Sequence, residues 1–311
     1  MSKTALWLIL RESLLMLMIA FPAAAFSLDA NTRIAELLKF RTPGSQLAVD
    51  YGDDRSELEL HSSAALVVSS TTGTVILSKN IDVVHSIASL TKLMTALVLV
   101  DAKLSLDTTV RIGSEDIDFE RASKSKLRIG ETLPRRDLLR LALLASENRA
   151  AMALARTSPG GTLMFVATMN LKAAALGMEN TRFVDASGLS SANVSTARDL
   201  AKLVAAAAGS TLIQEFSTTS AVTLTRLDTG QQIVYRNTNL LLRRENDWTI
   251  HLSKTGYINE AGHCLVLQAT IDQQLVNIVL LDSWGRYSRI GDANRIKKWL
   301  QRKPHLMLGK L

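Results

Sequence analysis

The spacing of hydrophobic residues predicts strands near both ends of the chain and helices between them. Residues 65–80 (ALVVSSTTGTVILSKN) form two β-branched runs around a polar turn, which is typical of a β-hairpin. From about Asp101 to Gly209 the apolar residues recur at helical spacing, without the alternation of a strand. A second hairpin, three strand-like segments and a final helix follow, at residues 220–237, 248–258, 263–271, 274–283 and 288–302.

This order of elements predicts an α+β fold, in which one antiparallel sheet is built from both chain ends and is flanked by helices. The helical segments fall together at about residues 102–215, so we expect them to form an inserted, all-helical subdomain. Residues 26–60 combine a weak helical pattern with Pro, Gly and scattered charges, and we interpret them as a leader. The folded domain is then expected at residues 61–285.

The first 25 residues have the pattern of an export signal. Lys3 and Arg11 supply positive charge, residues 14–21 (LLMLMIAF) form a short apolar run, and alanines fill positions 23–25. We expect cleavage after Ala25 and a periplasmic location for the mature protein. An uncleaved anchor is the alternative, although the uncharged run is shorter than the ~20 residues of a membrane-spanning helix.

The net charge of +7 is concentrated at the C-terminal end. Residues 286–311 contain eight Lys/Arg residues and one acidic residue, so the rest of the 311-residue chain is neutral in sum. We interpret this segment as a basic helix and tail, whose charges either form a solvated face or are weakly attracted to a membrane surface or an anionic cell-wall polymer. Export excludes nucleic acid as a partner.

The cysteine and histidine content excludes several kinds of site. Cys264 is the single cysteine, so the chain has no intramolecular disulfide. The five histidines lack metal-ligand spacing, and the H-E-x-x-H motif is absent. We therefore expect neither a metal nor a cofactor, and stability that depends on the hydrophobic core.

Residues 86–97 (SIASLTKLMTAL) place a lysine inside a helix that is apolar on every side. If Ser86 caps this helix, Ser89 lies in its first turn and Lys92 lies one turn further on the same face. Burial lowers the pKa of a lysine, so that it can take a proton from a serine hydroxyl and make it a nucleophile. The alternative is a helix-start serine and a lysine whose charged end reaches the surface.

Two further polar motifs interrupt apolar segments. Residues 146–148 (Ser-Glu-Asn) lie between two helical runs, and residues 254–256 (Lys-Thr-Gly) lie inside a strand, where glycine often marks the close approach of a ligand. Lys254 would lower the pKa of Lys92 and attract a carboxylate, to which Thr255 can donate a hydrogen bond. Ser-x-x-Lys, Ser-x-Asn and Lys-Thr-Gly together are the motif set of penicillin-binding proteins and class A β-lactamases.

Other segments extend this likeness, among them LKAAALGMENTRFVDASGLS, NVSTARDLAKL, YRNTNLLL and LSKTGYINEAGHCLVL. Over roughly residues 60–305 the chain resembles the low-molecular-mass penicillin-binding proteins of the D-alanyl-D-alanine carboxypeptidase family. Within it, the chain is most similar to the D-alanyl-D-alanine endopeptidases related to penicillin-binding protein 7. The resemblance implies a serine β-lactamase/transpeptidase-like fold and a serine D,D-peptidase that cleaves peptidoglycan cross-links through an acyl-enzyme. It also implies covalent inhibition by β-lactam antibiotics.

The resemblance implies a catalytic role for four residues. Ser89 would be the acylated nucleophile, and Lys92 would be its general base. Ser146 would relay the proton to the leaving amine, and Asn148 would hold the amide of the substrate.

It also implies two binding elements. Lys254, Thr255 and Gly256 would form the site for the carboxylate of the substrate or of penicillin. The backbone N–H groups of Ser89 and Tyr257 would form the oxyanion hole, which usually contributes most to acyl transfer.

Three other functions stay open at this point. A D-alanyl-D-alanine carboxypeptidase would use the same acyl-enzyme, although the short stretch after Gly256 leaves no room for the β-rich domain of many carboxypeptidases in this family. A class A β-lactamase needs a loop glutamate, for which Glu179 is the nearest candidate, but its E-x-x-L-N pattern is absent. A non-catalytic peptidoglycan-binding scaffold would not need the complete motif set that this chain carries.

Three further matches to catalytic motifs are interpreted as structural. Ser123–Lys126 repeats Ser-x-x-Lys without an apolar helix behind it, and Ser191–Asn193 repeats Ser-x-Asn immediately before a helix. Asp228–Gly230 resembles an aspartic-protease loop but has no second copy to share a proton, so a hairpin turn is expected there.

Overall fold

Two strands from the first part of the chain and three from its last part form one antiparallel sheet. The computed structural model describes residues 58–118, 121, 123–226, 228–243 and 246–306. The strands of this sheet are β1 (Ser62–Ser69), β2 (Val75–Lys79), β9 (Thr249–Ile258), β10 (Gly262–Ile271) and β11 (Gln274–Ser283). Their order is β2-β1-β11-β10-β9, so the first and last strands are neighbours at the centre and β9 is an edge. The predicted α+β fold is confirmed.

The helices lie where the hydrophobic spacing predicts them. They are α1 (Thr91–Asp101), α2 (Arg135–Leu144), α3 (Asn148–Arg156), α4 (Gly161–Ala175), α5 (Ala197–Ala207), α6 (Thr211–Thr218) and α7 (Ser288–Arg302). All except α7 lie between β2 and β9. At the start of α5, the side chain of Thr196 accepts a hydrogen bond from the N–H of Asp199, which is a typical N-cap.

The prediction of an all-helical insertion needs one correction. Six short strands also lie between β2 and β9: β3 (His85–Ser86), β4 (Thr109–Arg111), β5 (Thr132–Pro134), β6 (Val194–Ser195), β7 (Ala221–Thr225) and β8 (Gln232–Arg236). Of these, β4, β5 and β6 fall within the predicted helical subdomain at about 102–215, and the other three lie outside it. The six strands form three ladders, β3 with β6, β4 with β5 and β7 with β8. Only the last of these was predicted, because strands of two or three residues are too short to show an alternating pattern.

Helices cover both faces of the sheet. On one face, alternate residues such as Val67, Leu267 and Ile278 pack against Ile296 and Leu300 of α7. On the other face, α5 packs against β1, β10 and β11, and α1 packs against α5. Because β1 and β11 are buried on both sides, their sequences are continuous apolar runs.

The chain outside the described residues includes several predicted segments. The predicted signal peptide at 1–25, the leader up to residue 57 and the tail from residue 307 all lie there. Leu58 and Leu60, at the end of the predicted leader, pack against the core between the sheet and α7. Among the described residues, no helix is long and apolar enough to cross a membrane.

Candidate active site

Ser89 lies in a 3₁₀ turn, Ala88–Leu90, that runs directly into α1. The prediction that Ser86 caps this helix is wrong, because Ser86 belongs to β3 and pairs with β6. The turn is held instead by Thr91, whose Oγ1 donates to the carbonyl of Ala88 at 2.8 Å. Ala88 has a φ of +46°, a left-handed conformation that is costly for alanine. A strained turn anchored by a short ladder therefore presents Ser89 at the head of α1.

Lys92 lies one helical turn after Ser89 and is fully buried. Its Nζ is 2.9 Å from Ser89 Oγ, 2.7 Å from Asn148 Oδ1 and 2.6 Å from the carbonyl oxygen of Ser187. These contacts use all three donors of an ammonium group. The predicted nucleophile and the predicted base are thus in direct contact.

The carbonyl of Ser187 belongs to a loop that the sequence analysis did not identify. The Asp185 carboxylate organises the loop by accepting the N–H groups of Ser187 and Gly188, both at 2.6 Å. Gly188 has a φ of +82°, and a Cβ at this position would lie 1.9 Å from the carbonyl oxygen of Ala88. Only glycine therefore lets this loop pack against the Ser89 turn. The motif-like run Asp-Ala-Ser-Gly is the one sequence signal that marks it.

The Ser-Glu-Asn motif connects α2 to α3, as predicted. Ser146 has a φ of +59°, and its Oγ accepts a hydrogen bond from Lys254 Nζ at 3.0 Å. Asn148, which also contacts the predicted base, donates through Nδ2 to Ser123 Oγ at 3.0 Å. Ser123, which was interpreted as part of a structural match to Ser-x-x-Lys, is therefore part of the site wall.

Glu147, the middle residue of this motif, holds the loop that carries Ser123. Its buried carboxylate accepts hydrogen bonds from Ser125 Oγ at 2.6 Å and from the backbone N–H of Lys126 at 3.0 Å. Glu147 and Asn148 thus fix the two ends of the same loop.

Lys254 and Thr255 project from the edge strand β9. Lys254 is buried, and its Nζ donates to Ser146 Oγ and, at 2.9 Å, to the carbonyl of Thr255. Thr255 Oγ1 donates to Thr238 Oγ1 at 2.6 Å. Two predicted motifs, on the helical side and on the strand side, therefore meet through the Lys254–Ser146 contact.

Gly256 allows a close approach within the protein that the sequence analysis did not expect. A Cβ at this position would lie 2.9 Å from the carbonyl oxygen of Ile87 and 3.3 Å from the backbone nitrogen of Ser89. The glycine therefore lets the turn that carries Ser89 pack against β9, and it also lines the cleft, so its predicted role in substrate binding stays a prediction.

These elements enclose one cleft of about 550 Å³. The predicted residues on its walls are Ser89, Ser146, Asn148, Thr255, Gly256 and Tyr257. Lys92 and Lys254 are buried beneath them. The structure thus brings together every predicted site residue, while the individual roles stay predictions.

Arg289 of α7 also lines this cleft and was predicted only as part of the basic C-terminal segment. In the part of the chain that the structure describes, its Nε and Nη1 are buried and have no hydrogen-bond partner. Arg295 and Lys297, from the same helix, form ion pairs with Asp292 and Asp247. The basic segment is therefore partly used inside the protein, and Arg289 directs positive charge into the cleft.

The comparisons with known proteins agree with this geometry. Residues 52–284 match the family model described as D-alanyl-D-alanine carboxypeptidase. The chain belongs to this family. It is 48% identical over 243 residues to the D-alanyl-D-alanine endopeptidase of Pseudomonas aeruginosa, with 78% of each chain covered.

Two solved structures resemble this member of the D-alanyl-D-alanine carboxypeptidase family. One is the DD-transpeptidase of Streptomyces K15, with a TM-score of 0.72, 31% identity, and coverage of 78% of this chain and 97% of that chain. The other is penicillin-binding protein D2 of Listeria monocytogenes in its cefotaxime-bound form, with a TM-score of 0.67, 30% identity, and coverage of 78% and 97%. The predicted penicillin-binding protein fold is confirmed.

The surroundings of Lys92 suit a base in a D,D-peptidase of this family. Burial lowers the pKa of Lys92 to about 7, although the carboxylates of Asp185 and Glu147 act in the opposite direction. Burial also opposes ionisation of Asp185, but its hydrogen bonds, the first from Ser190, outweigh that effect and hold its pKa below the usual value. Burial lowers the pKa of Lys254 well below its usual value, and Lys92 and Arg289 lower it further.

The remaining candidates have structural surroundings. Glu179, the candidate for a β-lactamase glutamate, is exposed after α4 and does not line the cleft. Asn193 is buried and holds the Asp185 loop, accepting from the N–H of Val184 and donating to the Asp185 carboxylate. Asp228–Gly230 lies at the end of the β7–β8 hairpin, as predicted.

Proposed function

We propose that this serine D,D-peptidase acts as an endopeptidase on the D-alanyl cross-links of bacterial peptidoglycan. The observation that carries the proposal is the 2.9 Å contact between Ser89 Oγ and the Nζ of a fully buried lysine whose pKa is about 7. At neutral pH a large fraction of Lys92 is then uncharged and can accept a proton. The name of the Pseudomonas relative supports this choice of substrate.

Acylation begins when Ser89 Oγ attacks the D-alanyl carbonyl carbon and its proton moves to Lys92 Nζ. The carbonyl oxygen becomes an oxyanion, which the backbone N–H groups of Ser89 and Tyr257 would stabilise at the mouth of the cleft. Asn148 lies against Lys92 and on the cleft wall, so its amide can hold the peptide in line for attack.

The tetrahedral intermediate collapses when the C–N bond breaks and the leaving nitrogen takes a proton. Ser146 Oγ is the donor nearest to that side of the cleft, and Lys254 Nζ, 3.0 Å away, can replace its proton. The product is an ester between Ser89 and the D-alanyl residue. Exchange with solvent removes the proton that Lys92 took from Ser89 and restores the one that Lys254 gave away. Water then attacks the ester carbonyl carbon and gives a proton to the neutral Lys92. The C–O bond to Ser89 breaks, Ser89 Oγ takes that proton back from Lys92, and the carboxylic acid is released.

The carboxylate of the leaving residue has a prepared position. Thr255 and the unpartnered guanidinium of Arg289 both line the cleft, and Lys254 lies directly beneath. A bound carboxylate raises the pKa of Lys254 toward its usual value, since it supplies the negative charge that this lysine lacks.

The test is digestion of purified cross-linked peptidoglycan, with chromatography of the muropeptides. We expect cross-linked dimers to be converted into monomers, and no conversion by Ser89→Ala. Shortening of pentapeptides to tetrapeptides while the dimers stay intact would identify a carboxypeptidase instead. That alternative is supported by the description of the matching family model.

We also propose covalent inhibition by β-lactams and export to the periplasm. A β-lactam would acylate Ser89, and the cefotaxime-bound state of the Listeria structure supports this. Export is supported by the sequence pattern of residues 1–25. The mature protein is then expected to begin at Phe26, which mass spectrometry of the purified protein would test.

A further inference from the structure

The exposed aromatic side chains of the described residues gather at one end of the sheet. Trp284 is 84% exposed, Tyr287 is 60% exposed and Tyr257 is 53% exposed. Other large exposed apolar side chains in the described ranges are aliphatic. Aromatic rings left in water beside a cleft are typical of binding surfaces.

The strand register brings together the ends of β9, β10 and β11, at which these aromatic residues lie. Tyr257 of β9 lies opposite His263 of β10, and His263 lies opposite Ser283 of β11. The rings of Tyr257 and His263 stack, with centroids 4.3 Å apart and planes 22° apart. Trp284 follows Ser283 directly. Tyr257 and His263 therefore form a stacked pair at two strand ends, and Trp284 lies just beyond the end of the third.

The turn that carries Trp284 and Tyr287 has a defined backbone. Gly285 has a φ of +83°, its carbonyl accepts the N–H of Ser288, and Ser288 Oγ donates to the carbonyl of Trp284. A fixed backbone lowers the entropy lost when a ligand binds.

Positively charged side chains lie near these aromatic rings. The guanidinium of Arg286 lies 5.6 Å from the ring centroid of Tyr287. Burial lowers the pKa of His263, and Arg289 and Arg286 lower it further, because both guanidinium groups act on this imidazole. The surface therefore favours a ligand that is both apolar and acidic.

We propose that this aromatic shelf (Tyr257, His263, Trp284, Arg286 and Tyr287) binds the leaving-group half of a cross-link, an acidic peptide. The proposal rests on the proposed endopeptidase function. Thr255 and Tyr257 are two residues apart on β9 and so face the same side of the strand. The shelf therefore begins where the carboxylate position of Thr255 and Arg289 ends.

The shelf distinguishes two kinds of substrate. The leaving group of a carboxypeptidase reaction is a single D-alanine, which ends at its carboxylate. The leaving group of a cross-link continues into a second peptide, whose acidic groups fit Arg286. The shelf thus contributes to cleavage of cross-links and not to cleavage of a terminal D-alanine.

The test compares the wild-type protein with the double variant Trp284→Ala/Tyr287→Ala. Neither residue lines the cleft. On a glycan-free cross-linked peptide dimer, we expect kcat/KM to fall about tenfold, mainly through KM, as for a pair of interface aromatic residues. Release of D-alanine from a monomeric peptide and acylation by penicillin are expected to stay within about twofold, since neither reaction has a second peptide. Leu163→Ala removes an equally exposed side chain, 82% accessible on α4, and is the matched control.

The outcomes separate the shelf from the endopeptidase proposal. Unchanged dimer cleavage by the double variant, or an equal loss on dimer and monomer, would overturn the shelf. A loss seen only on substrates that carry sugars would identify glycan as the ligand and also overturn it. If the wild-type protein is acylated by penicillin but cleaves no dimer, the endopeptidase function is wrong, whatever the variant does.

Discussion

Lys92 and Lys254 are both buried lysines of the same cleft, but their surroundings differ in sign. Lys92 has the carboxylates of Asp185 and Glu147 near it, whereas the charges that act on Lys254 are those of Lys92 and Arg289. Burial lowers both pKa values, but only for Lys92 do neighbouring acids limit the decrease. For Lys92, carboxylates of the protein itself therefore compensate part of the effect of burial on the pKa.

Lys254 has no comparable acid near it among the described residues. Burial, Lys92 and Arg289 all lower the pKa of Lys254, and no carboxylate among the described residues acts in the opposite direction. Under the proposed function, a substrate carboxylate would supply the compensating negative charge when it binds. This also revises the sequence-based idea that Lys254 sets the pKa of Lys92, because burial is the main cause there.

The prediction with the largest expected effect concerns Lys92, the lysine that has two carboxylates near it. Lys92→Ala is expected to slow acylation by labelled penicillin at least about a thousandfold, because the base is lost while the oxyanion hole remains. Gel fluorescence over time measures the rate, and circular dichroism checks the fold. The control is Lys124→Ala, which removes an exposed lysine from the loop beside the site. Labelling of Lys92→Ala at the wild-type rate would mean that this lysine is only packed there.

The next test displaces the loop that contacts Lys92. Gly188→Ala is expected to lower the free energy of unfolding by about 3 kcal/mol or more, since it adds backbone strain and a collision with the Ala88 carbonyl. Gly73→Ala is the matched control: its φ is +72°, but a Cβ there meets nothing within 4 Å, so strain alone should cost about 1 kcal/mol. Urea denaturation measures both. If both variants lose the same free energy of unfolding, the close approach of Gly188 to the Ala88 carbonyl does not contribute to the loss.

The smallest expected effect is a shift of a pH profile. Lys92 is active when neutral, so the acylation rate constant should fall about tenfold per pH unit below a midpoint near 7. Glu147→Gln removes a carboxylate that raises this pKa, so the midpoint should move to lower pH. A glutamine can accept the N–H of Lys126 through its Oε1 and donate from its Nε2 to Ser125 Oγ, so that both contacts are kept. Glu179→Gln changes an exposed acid and should leave the profile unchanged; a shift toward higher pH in Glu147→Gln would contradict the assignment.

The side chains that carry reactive groups could be predicted from the sequence alone. Ser89, Lys92 and Lys254 stand out because polar groups interrupt apolar runs, and burial of a lysine always requires an explanation. The sheet was equally predictable, since its long strands have continuous or alternating apolar residues. These signals are local, so one sequence reveals them.

The rest of the site depends on distant contacts. Ser187 contributes a backbone carbonyl, which every residue has, so no side-chain pattern could identify it. Arg289 lies on a basic helix that looked like a solvated face, and only the packing of α7 against the sheet directs it to the cleft. Ser86 has the side chain of a helix cap, but pairing with β6 prevailed over that local preference.

The position of β1 beside β11 has a consequence for synthesis of the chain. Ser62 donates to the Asp292 carboxylate through both its N–H and its hydroxyl, although the two residues are 230 positions apart. A growing polypeptide completes its central strand pair only after nearly all of its residues have been made, and contacts of this kind form slowly. The Ser89 helix exists long before Gly256 is available to fix its turn. A chain that ends before Gly256 therefore contains Ser89 and Lys92 but lacks β9, the strand against which the Ser89 turn packs.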